Sequence, residues 1–283
     1  IVDAGNDTTL CDQAIPVTFT GTPTGGVWSG TGVTSGGVFT PNGVNVYTLH
    51  YGYTDPLTGC YNEDSLDVNV IAPTLADAGP AQSVCEDVGL LTFVGNPSGG
   101  IWSGNGVSTG GQYTVTNTGS YSFTYTYGTG TCLTTDQMLL TVNPLPSVDA
   151  GTDLVYCEDA ATQFLTGTPS TSGGVWTGNG ITSGTNEFEA SVAGAGIHVI
   201  TYTYTDANSC QASDTRQITV NALPIVDAGP DIIECNQTIP VTLSGSPVGG
   251  VWTGTGVTSG GVFTPNGLGA FTLTYSFTDL NGC

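Results

Sequence analysis

The chain has 283 residues, of which 43 are Gly and 15 are Pro, and so turn-rich a composition excludes a bundle of long helices. A single Arg stands against 23 Asp and Glu, giving a formal net charge of -22, so we expect neither a nucleic-acid nor an anionic-membrane partner. No run of 18 apolar residues occurs, but 38% of the residues are hydrophobic, and we expect a folded chain without a membrane-inserted segment.

Four copies of one unit follow one another along the chain. Each begins with VDAG or ADAG and continues with a cysteine, a Trp within a block of the GGVWSGTGV type, and a second cysteine. We therefore predict repeats at 1–72, 73–145, 146–223 and 224–283. The fourth repeat ends at its second cysteine and lacks the last strand of the others, so we expect this sequence to be a window of a longer array.

Apolar residues within each repeat alternate with a period of two, which is typical of half-buried strands. In the first repeat the inward positions are Ile15, Val17 and Phe19, then Tyr47, Leu49, Tyr51 and Tyr53, and finally Leu66, Val68 and Val70. Turn residues separate these runs, and six or seven short strands fit each unit. The pattern predicts an all-β fold, a tandem array of immunoglobulin-like β-sandwiches. Short Pro-containing linkers predict a semi-rigid rod.

Two cysteines per repeat predict one disulfide within each repeat. The expected pairs are Cys11–Cys60, Cys85–Cys132, Cys157–Cys210 and Cys235–Cys283. Closing a loop of about 50 residues would stabilise such a small domain by about 4 kcal/mol. The disulfides imply an oxidising compartment outside the cytoplasm. Zinc is disfavoured because no CxxC motif or His cluster is present.

The four tryptophans are predicted to pack in the sandwich cores, and the alternative is that they are exposed platforms on which sugars stack. They are Trp28, Trp102, Trp176 and Trp252.

Taken together, VDAG, the cysteines, GGVWSGTGV, GGVFTPNG and the aromatic TYTYTD strand resemble the immunoglobulin-like or PKD-like repeats of giant cell-surface adhesins of Bacteroidota. The mobile gliding-motility adhesins of the SprB type belong to that class. The resemblance covers all four repeats. It implies export by the type IX secretion system, attachment at the outer surface and a role in adhesion or gliding.

Recurring acidic residues leave two interpretations open. The aspartates of the VDAG element either form Asx turns or share Ca²⁺ where neighbouring repeats meet. These residues are Asp3, Asp77, Asp149 and Asp227. Ca²⁺ at these junctions is the one cofactor that we consider.

Four short triplets suggest sugar attachment. Thr8 and Ser65 lie in triplets that resemble the O-glycosylation acceptor of Bacteroidota, and Asn6–Thr8 and Asn236–Thr238 match the N-glycosylation triplet. None of the common catalytic motifs is present in the sequence, so we expect no enzyme.

The function that we expect is a stalk segment of an extracellular, cell-surface adhesin, which contacts its own neighbouring repeats and projects a distal binding tip. The alternatives are repeats that themselves bind surface polysaccharide, through the Trp blocks or the acidic edges, and a self-assembling extracellular filament subunit.

Overall fold

The structure, a computed structural model, describes residues 1–170, 173–235 and 239–283. Two compact units form, Ile1–Pro144 and Leu145–Cys283, and each contains two of the sequence repeats. Each repeat is built from short strands, in which Thr and aromatic residues fit the pleated surface and Gly, Pro and Asn form the turns.

The first repeat is an immunoglobulin-like sandwich of two sheets. A four-stranded sheet has the order β1-β6-β5-β3, and β2 pairs with β4 in a two-stranded sheet. The last strand, β6, is antiparallel to β5, whereas β1 runs parallel to β6. The strands are β1 (Thr8–Cys11), β2 (Val17–Thr18), β3 (Val27–Ser29), β4 (Val38–Phe39), β5 (Asn45–Thr54) and β6 (Tyr61–Ile71).

The second repeat has the same topology, with a four-stranded sheet β7-β12-β11-β9 and a pair β10-β8. A short 3-10 helix, Gly130–Cys132, forms the tip between its two longest strands. The strands are β7 (Gln82–Cys85), β8 (Leu90–Thr92), β9 (Ile101–Ser103), β10 (Gln112–Thr114), β11 (Gly119–Tyr127) and β12 (Thr134–Asn143).

The third repeat begins the second unit and again has sheets of the order β13-β18-β17-β15 and β14-β16. Its strands are β13 (Leu154–Cys157), β14 (Gln163–Phe164), β15 (Gly174–Thr177), β16 (Glu187–Phe188), β17 (Gly196–Thr205) and β18 (Gln211–Asn221), with a helix α1 (Ala190–Ala193) before β17. Over the described ranges, no helix is long and apolar enough to cross a bilayer.

The fourth repeat has an open core. It forms the pairs β19-β21 and β20-β22, and among its described residues no strand corresponds to β13 or β18. Its strands are β19 (Val241–Thr242), β20 (Val251–Thr253), β21 (Val262–Phe263) and β22 (Thr274–Ser276). Ala228 is exposed here, whereas the equivalent Ala4 is 1% exposed. A cavity of about 460 Å³, lined by Ala228, Trp252 and Phe263, marks the place that the last strand fills in the other repeats.

The period-two pattern locates the core of the first repeat with one exception. Leu49 and Tyr51 of β5 and Val68 of β6 are at most 3% exposed, as predicted. The inward position predicted for Ile15 is wrong, because Ile15 precedes β2 and is 45% exposed. The other two residues of that run, Val17 and Phe19, pack against the core at its edge.

Candidate functional site at the junctions of consecutive repeats

The two cysteines of one repeat lie at opposite ends of its sandwich. Cys11 ends β1 and is paired in register with Ile71, the last residue of β6, whereas Cys60 directly precedes the first residue of β6. Since β6 has 11 residues, its ends are about 35 Å apart. Disulfide geometry requires Cα atoms within about 7 Å of each other. A disulfide within the first repeat is therefore sterically impossible.

The structure pairs the cysteines between repeats instead. Cys11 bonds to Cys132 and Cys157 to Cys283, with Cα–Cα distances of 4.9 and 5.6 Å. Each bond joins the first cysteine of one repeat to the second cysteine of the next repeat in the same unit. The predicted pairings Cys11–Cys60, Cys85–Cys132, Cys157–Cys210 and Cys235–Cys283 are wrong. Cys60 and Cys235 are free and exposed, whereas Cys85 and Cys210 are disulfide-bonded.

Hydrogen bonds accompany the disulfide at the junction of the first two repeats. The backbone N–H of Cys11 donates to Thr131 Oγ1 at 3.1 Å, and Gln13 Nε2 donates to the carbonyl oxygen of Leu133 at 2.9 Å. Cys11 is 1% exposed. The tip of the second repeat therefore contacts the end of β1 through side chains and backbone as well as through sulfur.

A recurring aspartate shapes the loop that presents the second cysteine. Asp279 Oδ1 accepts the N–H groups of Cys283 and Asn281, both at 2.9 Å, and the Cys283 N–H holds the pKa of this carboxyl below its ordinary value. Asp206 accepts the Cys210 N–H in the same way, at 2.8 Å. The second repeat has Gly128 at this position and forms the 3-10 helix instead. The acid beyond the aromatic strand thus has a structural role in the cysteine loop.

The VDAG aspartates form Asx turns. Asp3 Oδ1 accepts the Gly5 N–H at 2.8 Å, and the other three repeats have the same bond at 2.7 to 2.8 Å. In the part of the chain that the structure describes, no three His, Cys, Asp or Glu side chains are grouped as ligands for a metal ion. Ca²⁺ binding by these residues stays a prediction. All four side chains are exposed: Asp3, Asp77, Asp149 and Asp227.

A second set of aspartates, which the sequence analysis missed, fixes the VDAG backbone to the last strand. Asp64 Oδ2 accepts the Ala4 N–H at 2.9 Å, and Asp214 Oδ2 accepts the Ala150 N–H at 2.8 Å. The Ala150 N–H holds the pKa of Asp214 below its ordinary value. The sequence feature that could have indicated this role is an acidic residue at an inward position of an alternating strand, since Asp64 is two residues before Leu66.

The tryptophans lie in the cores. Trp28 is 4% exposed, and its ring centroid is 5.1 Å from that of Tyr51. The Tyr51 hydroxyl donates to the Pro23 carbonyl oxygen at 2.7 Å and accepts the Gly26 N–H at 2.8 Å. A Cβ on Gly26 would lie 2.4 Å from the tyrosine ring, which explains why the position two residues before Trp28 is a glycine. An indole so little exposed to solvent offers no platform for a sugar. The other three are 3 to 6% exposed: Trp102, Trp176 and Trp252.

The chain's single cation is also buried. Arg216 on β18 is 8% exposed, its Nη1 donates to the Ala150 carbonyl oxygen at 3.0 Å, and its guanidinium carbon lies 5.3 Å from the centroid of the Trp176 ring. Its Nε has no hydrogen-bond partner within the described ranges. In the first two repeats Leu66 and Met138 occupy this register. The arginine is therefore a core residue and unavailable to an anionic ligand.

The candidate sugar-attachment residues lie on the first and last strands of the first repeat. Thr8 is half-buried in β1, and Ser65 is exposed in β6. Modification of both stays a prediction. The triplet Asn236–Thr238 lies outside the described residues.

No protein-family model and no curated protein sequence matches the chain. Among solved structures, Sidekick-1 immunoglobulin domains 1–5 are 13% identical with a TM-score of 0.29, covering 79% of this chain and 59% of that one. Drosophila N-cadherin EC1-4 is 10% identical with a TM-score of 0.23, covering 76% and 73%. A SusE-like surface located polysaccharide binding protein from Bacteroides thetaiotaomicron is 9% identical with a TM-score of 0.29, covering 62% and 43%. Likenesses at these scores say nothing about what the chain binds.

Proposed function

We propose that this chain is a load-bearing stalk segment of an extracellular adhesin. The observation that supports the proposal is that the disulfides Cys11–Cys132 and Cys157–Cys283 join consecutive repeats instead of closing individual ones. A bond between repeats stabilises the fold whatever the chain does. In a chain under tension it has a further effect, because it transmits force past the linker and past every strand between the two cysteines.

The sequence separations of the two disulfides set how far such a stalk can lengthen. Cys11 and Cys132 are 121 residues apart, and Cys157 and Cys283 are 126 apart. At about 3.4 Å per extended residue, each disulfide withholds roughly 40 nm of chain from extension even when every strand between its cysteines has unfolded. Such a segment keeps its distal end at a nearly fixed distance under load.

The proposed location follows from the chemistry of the junctions. Disulfides persist in oxidising compartments, and structural bonds of this kind are typical of exported proteins. The resemblance of the repeats to Bacteroidota surface adhesins supports a bacterial cell surface, with adhesion or gliding as the process and type IX secretion as the export route. The formal charge of -22 supports a stalk that stays soluble and repels its neighbours.

A bead-tether assay tests the proposed function. The chain is fixed at one end to a surface and at the other to a bead, and repeated load is applied by flow. The oxidised protein should return to the same length after every cycle, whereas the variant with Cys11, Cys132, Cys157 and Cys283 all changed to Ser should lengthen by tens of nanometres and recover slowly. Equal lengthening of both proteins would contradict a load-bearing role.

A further inference from the structure

Two thiols are left over from the pairing between repeats. Cys60 and Cys235 are free and exposed, and they lie in the first and the last of the four repeats. Their equivalents are bonded: Cys60 corresponds to Cys132 and Cys283, and Cys235 corresponds to Cys11 and Cys157. We call the second cysteine of a repeat its tip cysteine and the first its receiving cysteine. The two free thiols are therefore one of each kind, and these are the two kinds that bond to each other within each unit.

The loop around Cys60 shares two hydrogen bonds with the bonded tip loop around Cys283, although it is one residue longer and its cysteine N–H donates to Thr58 Oγ1. The Asp55 N–H donates to the Cys60 carbonyl oxygen at 2.9 Å, as the Asp279 N–H does to the Cys283 carbonyl oxygen at 2.8 Å. Asp55 Oδ1 accepts the N–H of Leu57, two residues on, at 2.8 Å, and Asp279 makes the same turn. Because Cys283 is bonded and Cys60 is not, these two shared hydrogen bonds form without the disulfide.

We propose that Cys60 and Cys235 are sites of disulfide formation with a further repeat of the same kind. Cys235 bonds to the tip cysteine of a repeat that follows, and Cys60 to the receiving cysteine of a repeat that precedes. A second copy of this chain supplies both kinds of partner, so copies join head to tail through Cys235 of one and Cys60 of the next. The inference rests on the proposed stalk, whose covalent connection it extends beyond the four repeats.

The reaction needs a disulfide oxidant, for which oxidised glutathione serves. One thiolate attacks a glutathione sulfur and releases one reduced glutathione, which gives a mixed disulfide. The second thiolate attacks the protein sulfur of that mixed disulfide and releases the other glutathione. Two thiols lose two protons and two electrons, one S–S bond forms between the proteins, and the glutathione disulfide is reduced to two thiols.

Crossed oxidation of two single variants tests the inference. Cys60→Ser retains only the thiol of Cys235, and Cys235→Ser retains only that of Cys60. The two are mixed in equal amounts, one of them isotope-labelled, with oxidised glutathione, and disulfide-linked dimers are weighed by mass spectrometry. We expect the crossed dimer to exceed either self-dimer at least tenfold. The double variant Cys60→Ser/Cys235→Ser controls for exchange with the internal disulfides and should stay monomeric.

A statistical mixture, with the crossed dimer only twice as abundant as each self-dimer, would overturn the inference, as would the absence of all dimers. Peptide mapping of the same samples separates this failure from failure of the stalk proposal. If Cys11–Cys132 and Cys157–Cys283 remain intact without a crossed dimer, only the junction inference falls. If those two internal disulfides are missing as well, the proposed stalk function falls with it.

Discussion

Removal of the disulfide between the first two repeats should destabilise the first unit far more than removal of a free thiol from the same unit. The bond Cys11–Cys132 closes a loop of 121 residues, and constraining so long a loop in the unfolded chain is worth about 5 kcal/mol in the chain-entropy model. The double change Cys11→Ser/Cys132→Ser should lower the free energy of unfolding of the first unit by up to about that amount. Cys60→Ser, at an exposed free thiol, should change it by less than about 0.5 kcal/mol.

Hydrogen exchange measured by mass spectrometry resolves the two units in one molecule. Amides in β5 and β11 report the first unit, and amides in β17 report the second, whose disulfide is intact in both variants and serves as an internal control. A loss of 5 kcal/mol corresponds to an increase of about three to four orders of magnitude in exchange of the most protected amides. If Cys60→Ser accelerated exchange as much as the double variant does, the reasoning from cross-repeat pairing would be refuted.

Three further predictions follow from the cores and carboxylates. Arg216→Met should raise the free energy of unfolding of the second unit by about 1 kcal/mol or more in urea titration, because it removes a buried and incompletely paired charge. The reverse change, Met138→Arg, should destabilise the first unit by several kcal/mol. A lower free energy of unfolding for Arg216→Met would contradict this reasoning. The pKa values of Asp214 and Asp279 are lowered by backbone N–H groups. The stabilisation that these carboxylates give to the folded state is therefore complete well above pH 3.8 and is lost as the pH falls below that value. Melting followed from pH 6 to pH 2 should show this loss, and it should shrink in Asp214→Asn and Asp279→Asn; an unchanged profile would refute it. If the VDAG aspartates bind Ca²⁺, chelation should lower the melting temperature, and identical melting curves with and without chelator would remove that prediction.

The strands and cores could be predicted because they depend on local periodicity. Tyr47 to Tyr51 alternate along a strand whose one face is covered, so their burial follows from sequence order alone. The exception, Ile15, shows the limit of that reasoning, because the alternating run begins two residues before β2, the strand that forms. Strand ends depend on the backbone of the surrounding turns.

The cysteine pairing could not be predicted from the repeat alone, because it depends on distances across the fold. One pair of cysteines per repeat suggests one bond per repeat only if both lie near the same end of the sandwich. The 11 residues of β6 separate them, and the parallel pairing of β1 with β6 places Cys11 at the far end. Parallel pairing of β1 with β6 leaves no mark in the periodicity. The role of Asp64 was missed for a related reason, since its partner is the backbone N–H of Ala4, 60 residues away.

Disulfide mapping of the native, unreduced protein tests the central claim most directly. Trypsin has a single site, Arg216, so digestion with a protease that cleaves at Asp and Glu is required. The cross-repeat arrangement predicts one linked peptide pair containing Cys11 with Cys132 and another containing Cys157 with Cys283, while Cys60 and Cys235 are alkylated as free thiols in the monomer. A linked pair containing Cys11 with Cys60 would contradict the account.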